Sequence, residues 1–470
     1  MSGARGYHVT CRAMNSLEVI ILAAGQGKRM HSALPKVLQP IGGKPLLTHV
    51  VGVARTLAPR AIHVVYGYGG EQVRTALASE RVHWISQAEQ LGTGHAVQQA
   101  IASVADESTV LVLYGDVPLI RPETLRDLIS LSHPPTLALL TAELPDPDGY
   151  GRIVRSPGDR VERIVEQKDA TVEEAAICEI NTGIMAVPAP LLRRWLGRLE
   201  NRNSQREYYL TDVVAMAVAE GVAIATRQPR EISEILGVNS KRELADLERA
   251  HQRAIAQALL EQGVTLRDPE RLDVRGELSC GRDVVIDVNV VFEGNVKLGD
   301  GVVVGPNNVI RDSEIGAGTQ ILANCVIEEA VIGAGARIGP FARLRPGNRL
   351  ADRVHIGNFV EVKKSEIGEG SKANHLTYIG DTIVGERVNV GAGTITCNYD
   401  GANKHQTVIG DDAFIGSNTA LVAPVTVGAG ANIGAGSVIS KEAPAGELTL
   451  TRAEQKTIKG WKRPVKKPET

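Results

Sequence analysis

Aromatic side chains are scarce in this 470-residue chain, which has 3 Trp, 9 Tyr and 4 Phe, so its cores must be aliphatic. Cysteine is equally thin. The 5 residues (Cys11, Cys178, Cys280, Cys325 and Cys397) are scattered, odd in number and without a CxxC pair. That argues against a disulfide framework or a structural zinc site, and for a reducing, cytoplasmic setting. No apolar run reaches the length of a membrane span, and the first 16 residues lack the apolar stretch of a secretory signal. They are expected to form a disordered extension, with Met14 as a candidate start. Neither sign of charge dominates: 52 Lys plus Arg face 54 Asp plus Glu, a net charge of −2. A generally basic nucleic-acid binder is thereby excluded, as is a strongly acidic solvating chain. The length suggests about two or three domains. What the chain does have is glycine, 49 residues, more than ordinary usage.

Residues 17–239 alternate short apolar runs with helical stretches. LEVIILAAG, AIHVVYG, STVLVLYGD, PTLALLTAEL and INTGIMAV read as buried strands, and residues 70–79, 95–105 and 123–131 read as helices. Continuous apolar strands between helices imply an α/β domain with a mostly parallel, Rossmann-like sheet covered on both faces. Ligands of such sheets gather outside the carboxyl ends of the strands. Residues 240–263 have helical spacing, with Leu244, Leu247, Ile255 and Leu259 roughly on one stripe and Gly263 as a stop, and are expected to form a linker helix.

After residue 280 the period changes to six, marking a second domain expected over residues 264–448. Aliphatic-glycine pairs recur at Leu298-Gly299, Val304-Gly305, Ile332-Gly333, Ile338-Gly339, Val384-Gly385, Val390-Gly391, Ile409-Gly410 and Ile415-Gly416. Hexads of this kind build a parallel β-helix, in which the aliphatic residue points inward from a short flat strand and small residues turn the corners. A narrow prism has little room for aromatics, in keeping with their scarcity. The stretch CNYDGANKHQ interrupts the period and is expected to protrude as a loop. Residues 449–470 are left as a tail.

The first strand is followed by Leu22-Ala23-Ala24-Gly25-Gln26-Gly27-Lys28-Arg29-Met30, and soon after by Leu34-Pro35-Lys36. A glycine-rich turn at a strand's carboxyl end lets backbone N–H groups approach phosphate oxygens. Arg29 and Lys36 supply charge to hold a triphosphate and its departing pyrophosphate. Neither the Walker pattern nor GxGxxG fits. The whole string instead resembles the signature of the sugar-nucleotide pyrophosphorylases, which join a nucleoside triphosphate to a sugar 1-phosphate. That resemblance implies a base-binding segment at Gln87, Gly92 and Thr93 that reads the uracil of UTP. It implies a metal-binding segment at Tyr114-Gly115-Asp116, sugar contacts at Gly151, Glu166 and Asn181, and a second metal contact at Asn239. Mg²⁺ usually takes few oxygens from protein and the remainder from phosphates and water, so Asp116 and Asn239 suffice to hold it.

Function on the β-helix has to be sought where polar residues interrupt the hexads. Arg345 and Lys363 can bind a sugar phosphate. A neutral His375 can take a proton from an amine as general base, with Glu361 orienting the imidazole, while the amine attacks a thioester and an N–H group receives the oxyanion. These segments resemble the acetyltransferase half of the bacterial bifunctional N-acetylglucosamine-1-phosphate uridyltransferase/glucosamine-1-phosphate acetyltransferases, and the resemblance runs over residues 17–467. It implies that His375 is the acetyl-transfer base and that Arg345, Lys363, Tyr378 and Asn389 contact the amino-sugar phosphate. Ala392, Asn398, Tyr399, Ser417, Ala435 and Arg452 would contact acetyl-CoA. The resemblance further implies a left-handed β-helix and a homotrimer with acetyl-transfer sites at the subunit seams. The terminal segment with Lys456, Lys459, Gly460, Trp461 and Arg463 would extend over a neighbour's site. The product, UDP-N-acetylglucosamine, would feed cell-wall precursors. Lys28 departs from the family's commoner threonine, and the extension of about a dozen residues has no counterpart.

Overall fold

The computed structural model describes residues 16–466, which fall into two compact units divided between His251 and Gln252. The first begins with β1 (Leu17–Ala23), buried from Glu18 onward. Its alternate residues feed two separate cores, Val19 and Ile21 on one face and Ile20 and Leu22 on the other. That explains a continuous apolar run: both faces of the strand are covered. The remaining strands of its main sheet are β2 (Ala61–Tyr66), β3 (His83–Ser86), β4 (Thr109–Tyr114), β5 (Leu137–Glu143), β6 (Gly151–Arg155), β7 (Val161–Val165), β8 (Glu179–Pro188) and β9 (Ile224–Arg227). They order as β9-β5-β8-β4-β1-β2-β3, with the β6–β7 hairpin attached through β6 to β8. Along that path all neighbours are parallel except β8, which runs antiparallel to β4 and β5.

One face is covered by α1 (Leu46–Thr56), α2 (Gly70–Ala76) and α4 (Pro122–Leu131). The other is covered by α3 (Thr93–Ile101), by α6 (Ala189–Leu196) after the short α5 (Val172–Ala175), and by α7 (Asp212–Ala219). The five strands and three helices read from sequence are present. The edge strands β3 and β9, the β6–β7 hairpin, and α1, α6 and α7 were not read.

The expected linker helix is α8 (Lys241–Glu261), and the division between units falls inside it. In the first unit its Leu247 completes a small core with Met30, Ile41, Leu46 and Val238. In the second, Ala256 and Leu259 join the β-helix core, and the Gln252 side chain pairs with both the N–H and the carbonyl of Val274 at 2.8 and 2.9 Å.

The second unit is a left-handed parallel β-helix. Its strands stack in register on three faces, so that inward aliphatics form unbroken columns such as Ile338, Ile356, Ala373, Val390, Ile415 and Ile433. The glycine after an inward aliphatic sits where the next coil's backbone comes closest. A Cβ on Gly368 would meet Gly385 backbone atoms at 2.4 Å. Phe292 is buried at the base, whereas Phe341, Phe359 and Phe414 are exposed. The expected loop lies between the strands Ile395–Cys397 and Thr407–Ile409. Most of the expected N-terminal extension lies outside the described residues, but Ser16 is held by its hydroxyl against Ser108 Oγ at 2.8 Å. Residues 451–466 are exposed and without regular structure, and 467–470 lie outside the described residues. No helix among the described residues is long and apolar enough to cross a membrane.

Candidate functional site

At the carboxyl ends of β1 and β4 lies a cavity of about 570 Å³. Its walls bring together Leu22, Ala23, Ala24, Gly25 and Lys36 with Gln87, Gly92, Thr93, Tyr114 and Asp116. Gly27 adopts φ 63°, and a Cβ there would lie 2.7 Å from Lys36 Cβ, so glycine lets the loop close over the lysine. A Cβ on Gly25 would meet nothing within 4 Å, leaving that backbone open to a ligand. Lys36 donates to Asp116 Oδ2 at 2.5 Å and to Asn239 Oδ1 at 3.2 Å. Two oxygens from distant parts of the chain therefore converge on one cationic atom. This arrangement fits a divalent cation, which would find a carboxylate and an amide oxygen aimed at one point.

Asn239 is held by α8: Glu243 accepts from the N–H groups of Asn239 and Ser240 at 2.6 and 2.8 Å, and Ser240 Oγ accepts from Glu243 N. This reciprocal pairing caps the helix. Gly115 lies below the cavity, donating to Leu22 O at 2.9 Å. Arg29 is exposed and outside the cavity lining, where Lys28 stands instead.

Gln87 is buried and donates to Gly92 O at 3.2 Å and to His95 Nδ1 at 3.1 Å. The Gly92 turn is pinned from outside. Gly94 N donates to Tyr208 O, Tyr208 N donates to Leu91 O, both at 2.8 Å, and a Cβ on Gly92 would lie 2.7 Å from Tyr208 O. Glu207 itself lines the cavity, as do Gln26 and Gln90. Sequence reading missed this 207–211 segment; its signal was a Tyr-Tyr pair in a chain with only 9 tyrosines.

Glu166 lines a separate cavity of about 360 Å³ with Asp169, Tyr209, Thr211 and Asp212. Burial pushes its carboxyl above the usual range, opposed by the Thr211 hydroxyl, which donates at 2.9 Å, and reinforced by Asp212, Asp169 and Glu207. Gly151 faces it, since a Cβ there would lie 3.5 Å from Glu166 Oε2. Asn181 is buried in β8 and accepts from Gly183 N at 3.1 Å, next to a register break before Met185. That break leaves Gly183 at φ 83°, where a Cβ would strike the Tyr114 ring at 2.4 Å. Burial, with Glu166 and Asp116 nearby, raises the Tyr114 hydroxyl far above its ordinary value, so it stays protonated.

On the β-helix, Arg345 donates to Glu361 Oε1 at 3.1 Å, and Glu361 stands in register with Tyr378 on the next coil. Lys363 is in register with Gly380 in the same pair of strands. Asn398 is buried and donates to Asp381 Oδ2 at 2.5 Å and to the Tyr378 hydroxyl at 3.4 Å. His375 does not meet Glu361 as expected. Its Nδ1 lies 2.7 Å from Asn358 Oδ1, because Asn358 is its register partner on the coil below, whereas Glu361 is held by Arg345.

Asn389 stands one coil above Lys372, the residue that opens His375's strand. Ala392, Ser417 and Ala435 stack up one edge: Asn418 N donates to Ala392 O and Gly436 N to Ser417 O, both at 2.8 Å. Arg452 continues that edge, its guanidinium 3.7 Å from where a Cβ on Gly434 would be. Tyr399 is exposed on the protruding loop, with Lys404 Nζ 4.2 Å from its ring centroid.

Residues 19–266 match the MobA-like NTP transferase domain, and residues 312–346 and 406–441 match the bacterial transferase hexapeptide (six repeats). The bifunctional protein GlmU of Nitrosospira multiformis is 59% identical over 97% of this chain and 99% of its own length. That of Azoarcus sp. (strain BH72) is 61% identical over 96% of this chain and 100% of its own. The chain belongs to the bifunctional GlmU family. That of Aromatoleum aromaticum agrees, at 61% over 96% of this chain and 99% of its own. As a GlmU, the protein is an enzyme with two activities on two architectures. It transfers acetyl from acetyl-CoA to glucosamine 1-phosphate, then uridylyl from UTP to N-acetylglucosamine 1-phosphate, releasing pyrophosphate. Between the two GlmU hexapeptide matches lie residues 347–405, the stretch that carries Glu361, Lys363, His375, Tyr378 and Asn389.

Proposed function

We propose that the cavity at the ends of β1 and β4 is the uridylyl-transfer site and that the polar face around His375 is the acetyl-transfer site. The observation that carries the first assignment is the convergence of Asp116 Oδ2 and Asn239 Oδ1 on the Lys36 ammonium. Backbone N–H groups of residues 23–27, with Lys28, Arg29 and Lys36, receive the triphosphate. Gln87 has its amide nitrogen committed to Gly92 and His95, which leaves its carbonyl oxygen to accept from uracil N3–H, with Gly92 and Thr93 alongside. Gly151, Glu166 and Asn181 hold the sugar, with Tyr114 and Gly115 flooring the site. Mg²⁺ would be held by Asp116 and Asn239, and when bound it neutralises charge on the α-phosphate and the departing pyrophosphate. The sugar phosphate oxygen then attacks in line, and Lys36 follows the leaving group.

In the acetyl site, Lys363 and Arg345 hold the amino-sugar phosphate, Glu361 sets the Arg345 fork, and Tyr378 and Asn389 bracket the sugar. His375 Nε2 takes a proton from the attacking amine. The new C–N bond forms as the thioester C–S bond breaks, and the imidazolium returns its proton to the leaving thiolate. Acetyl-CoA lies along the edge of Ala392, Ser417, Ala435 and Arg452, beside Asn398 and Tyr399.

Phe341 and Phe359 stack at 5.3 Å and, with Leu376, form an exposed apolar ladder at the corner beside His375. Three copies, each covering a neighbour's ladder, make the working state a homotrimer, with Lys456, Lys459, Trp461 and Arg463 reaching a neighbour's site. The substrates place the enzyme in the cytoplasm.

Two variants test the assignment. Asp116→Ala is expected to cut UTP consumption at least about a hundredfold while leaving CoA release intact; His375→Ala is expected to do the reverse. Loss of both activities in either folded variant would contradict two independent sites.

A further inference from the structure

Asn358 and His375 end two consecutive strands of one face, His355–Asn358 and Lys372–His375, and they are direct register partners. Asn358 Oδ1 lies 2.7 Å from His375 Nδ1. An amide oxygen only accepts hydrogen bonds, so the proton in this contact belongs to the ring. Nδ1 then carries the hydrogen and Nε2 keeps its lone pair. We propose that Asn358 is the positioning residue that fixes the tautomer and aim of His375 for acetyl transfer, an inference that rests on His375 being the base.

The backbone holds both side chains at the same corner. Leu376 N donates to Asn358 O at 3.1 Å. Phe359 and Leu376, the residues that follow the pair, turn the corner alike at φ 56° and 49°. Gly357 permits the close stacking, because a Cβ there would lie 2.0 Å from Asn374 O.

The charged groups nearby are engaged or lie further along the strands. Glu361 is bound by Arg345, His355 opens Asn358's strand, and Lys372 opens His375's own. An amide orients the ring without favouring the imidazolium, as a carboxylate would. The amide therefore aims the base, which hands its proton on to the departing thiolate within the same turnover.

The experiment measures both activities in the full-length enzyme. Asn358→Ala is expected to lower kcat for acetyl transfer by roughly 10- to 100-fold, as a misaimed reacting group does, with KM for glucosamine 1-phosphate within about twofold. Uridylyl transfer stays at the parent rate and reports on the first unit, while an unchanged circular-dichroism melting profile reports that the β-helix is folded. Asn358→Asp restores the acceptor, and should recover most of kcat while moving the acid limb of the rate profile up by about one pH unit. Parent-like kcat in Asn358→Ala, with His375→Ala inactive, would overturn the proposal. So would a loss in Asn358→Ala that Asn358→Asp neither recovers nor accompanies with a shifted limb. Full acetyl transfer by His375→Ala would instead remove the reading beneath it.

Discussion

Lys36 sets its ammonium where Asp116 Oδ2 and Asn239 Oδ1 converge, so a cation stands there before any metal arrives. Lys36→Met is expected to bind Mn²⁺ in the absence of nucleotide roughly tenfold more tightly, since like charges no longer compete; titration calorimetry measures it, and an unchanged affinity would contradict the shared position. At Glu166, burial penalises the charged form and the Thr211 hydroxyl supports it. The carboxylate thus costs stability above its raised folded value, and that cost disappears as pH falls through it. Thr211→Val removes the supporting bond, so the carboxyl should protonate at higher pH and the acid limb of uridylyl transfer should move upward. An unmoved limb would separate Glu166 from the reaction. Asp116 was legible because it closes an apolar strand in a segment that resembles the metal-binding one of the sugar-nucleotide pyrophosphorylases. Asn358 was not, because the contact depends on which residues fall opposite each other 17 positions apart, and the expected partner Glu361 is taken by Arg345. The contribution of 207–211 was hidden for the same reason: its backbone, not a motif, props the Gly92 turn.

Among the elements, the coils were the most readable, since each inward aliphatic and its glycine answer to a fixed repeat. Gly368→Ala would drive a Cβ into Gly385 backbone at 2.4 Å. It should cost about 1–3 kcal/mol, seen as a lowered temperature for loss of acetyl transfer with uridylyl transfer unaffected. Among the helices that escaped reading, α7 (DVVAMAVA) is apolar on nearly every side, and α6 (APLLRRWL) has a stripe but spans only 8 residues. The edge strand β3 (HWIS) is short and half-exposed, and the β6–β7 hairpin interleaves charge with aliphatics. A titrating pair joins α8 to α1, His251 on the first and His49 on the second. His251 is pushed down to about 4 by burial and by His49, whose ring centroid is 5.3 Å away. Its folded value lies below the unfolded one, so the unfolded chain binds more protons and stability falls as pH drops from about 6.5 toward 4. The unfolding free energy from urea titration, followed by loss of uridylyl transfer, should decline over that window by up to about 3 kcal/mol for this group, and His251→Phe should flatten the decline.

For the molecule as a whole, the place to cut the chain follows from what α8 completes. A fragment ending at residue 251 keeps Leu247, buried against Met30, Ile41, Leu46 and Val238, and keeps Glu243 on the Asn239 N–H. It should make UDP-N-acetylglucosamine from supplied N-acetylglucosamine 1-phosphate and UTP. A fragment ending at 239 loses both supports and should fall at least tenfold in rate or lose its fold, read by product chromatography and circular dichroism; equal rates would show that the helix is dispensable. The stacked register also governs how the chain can change length. Inserting one residue between Asn358 and His375 would turn every later side chain inside out until the next corner. Within the loop tip 400–404 the same insertion leaves the stack intact, because Cys397 and Thr407 still meet Val422 and Val425. Natural length variation in this unit should therefore come as whole coils or collect in that one loop, leaving the rungs of Asn358 and His375 at constant spacing.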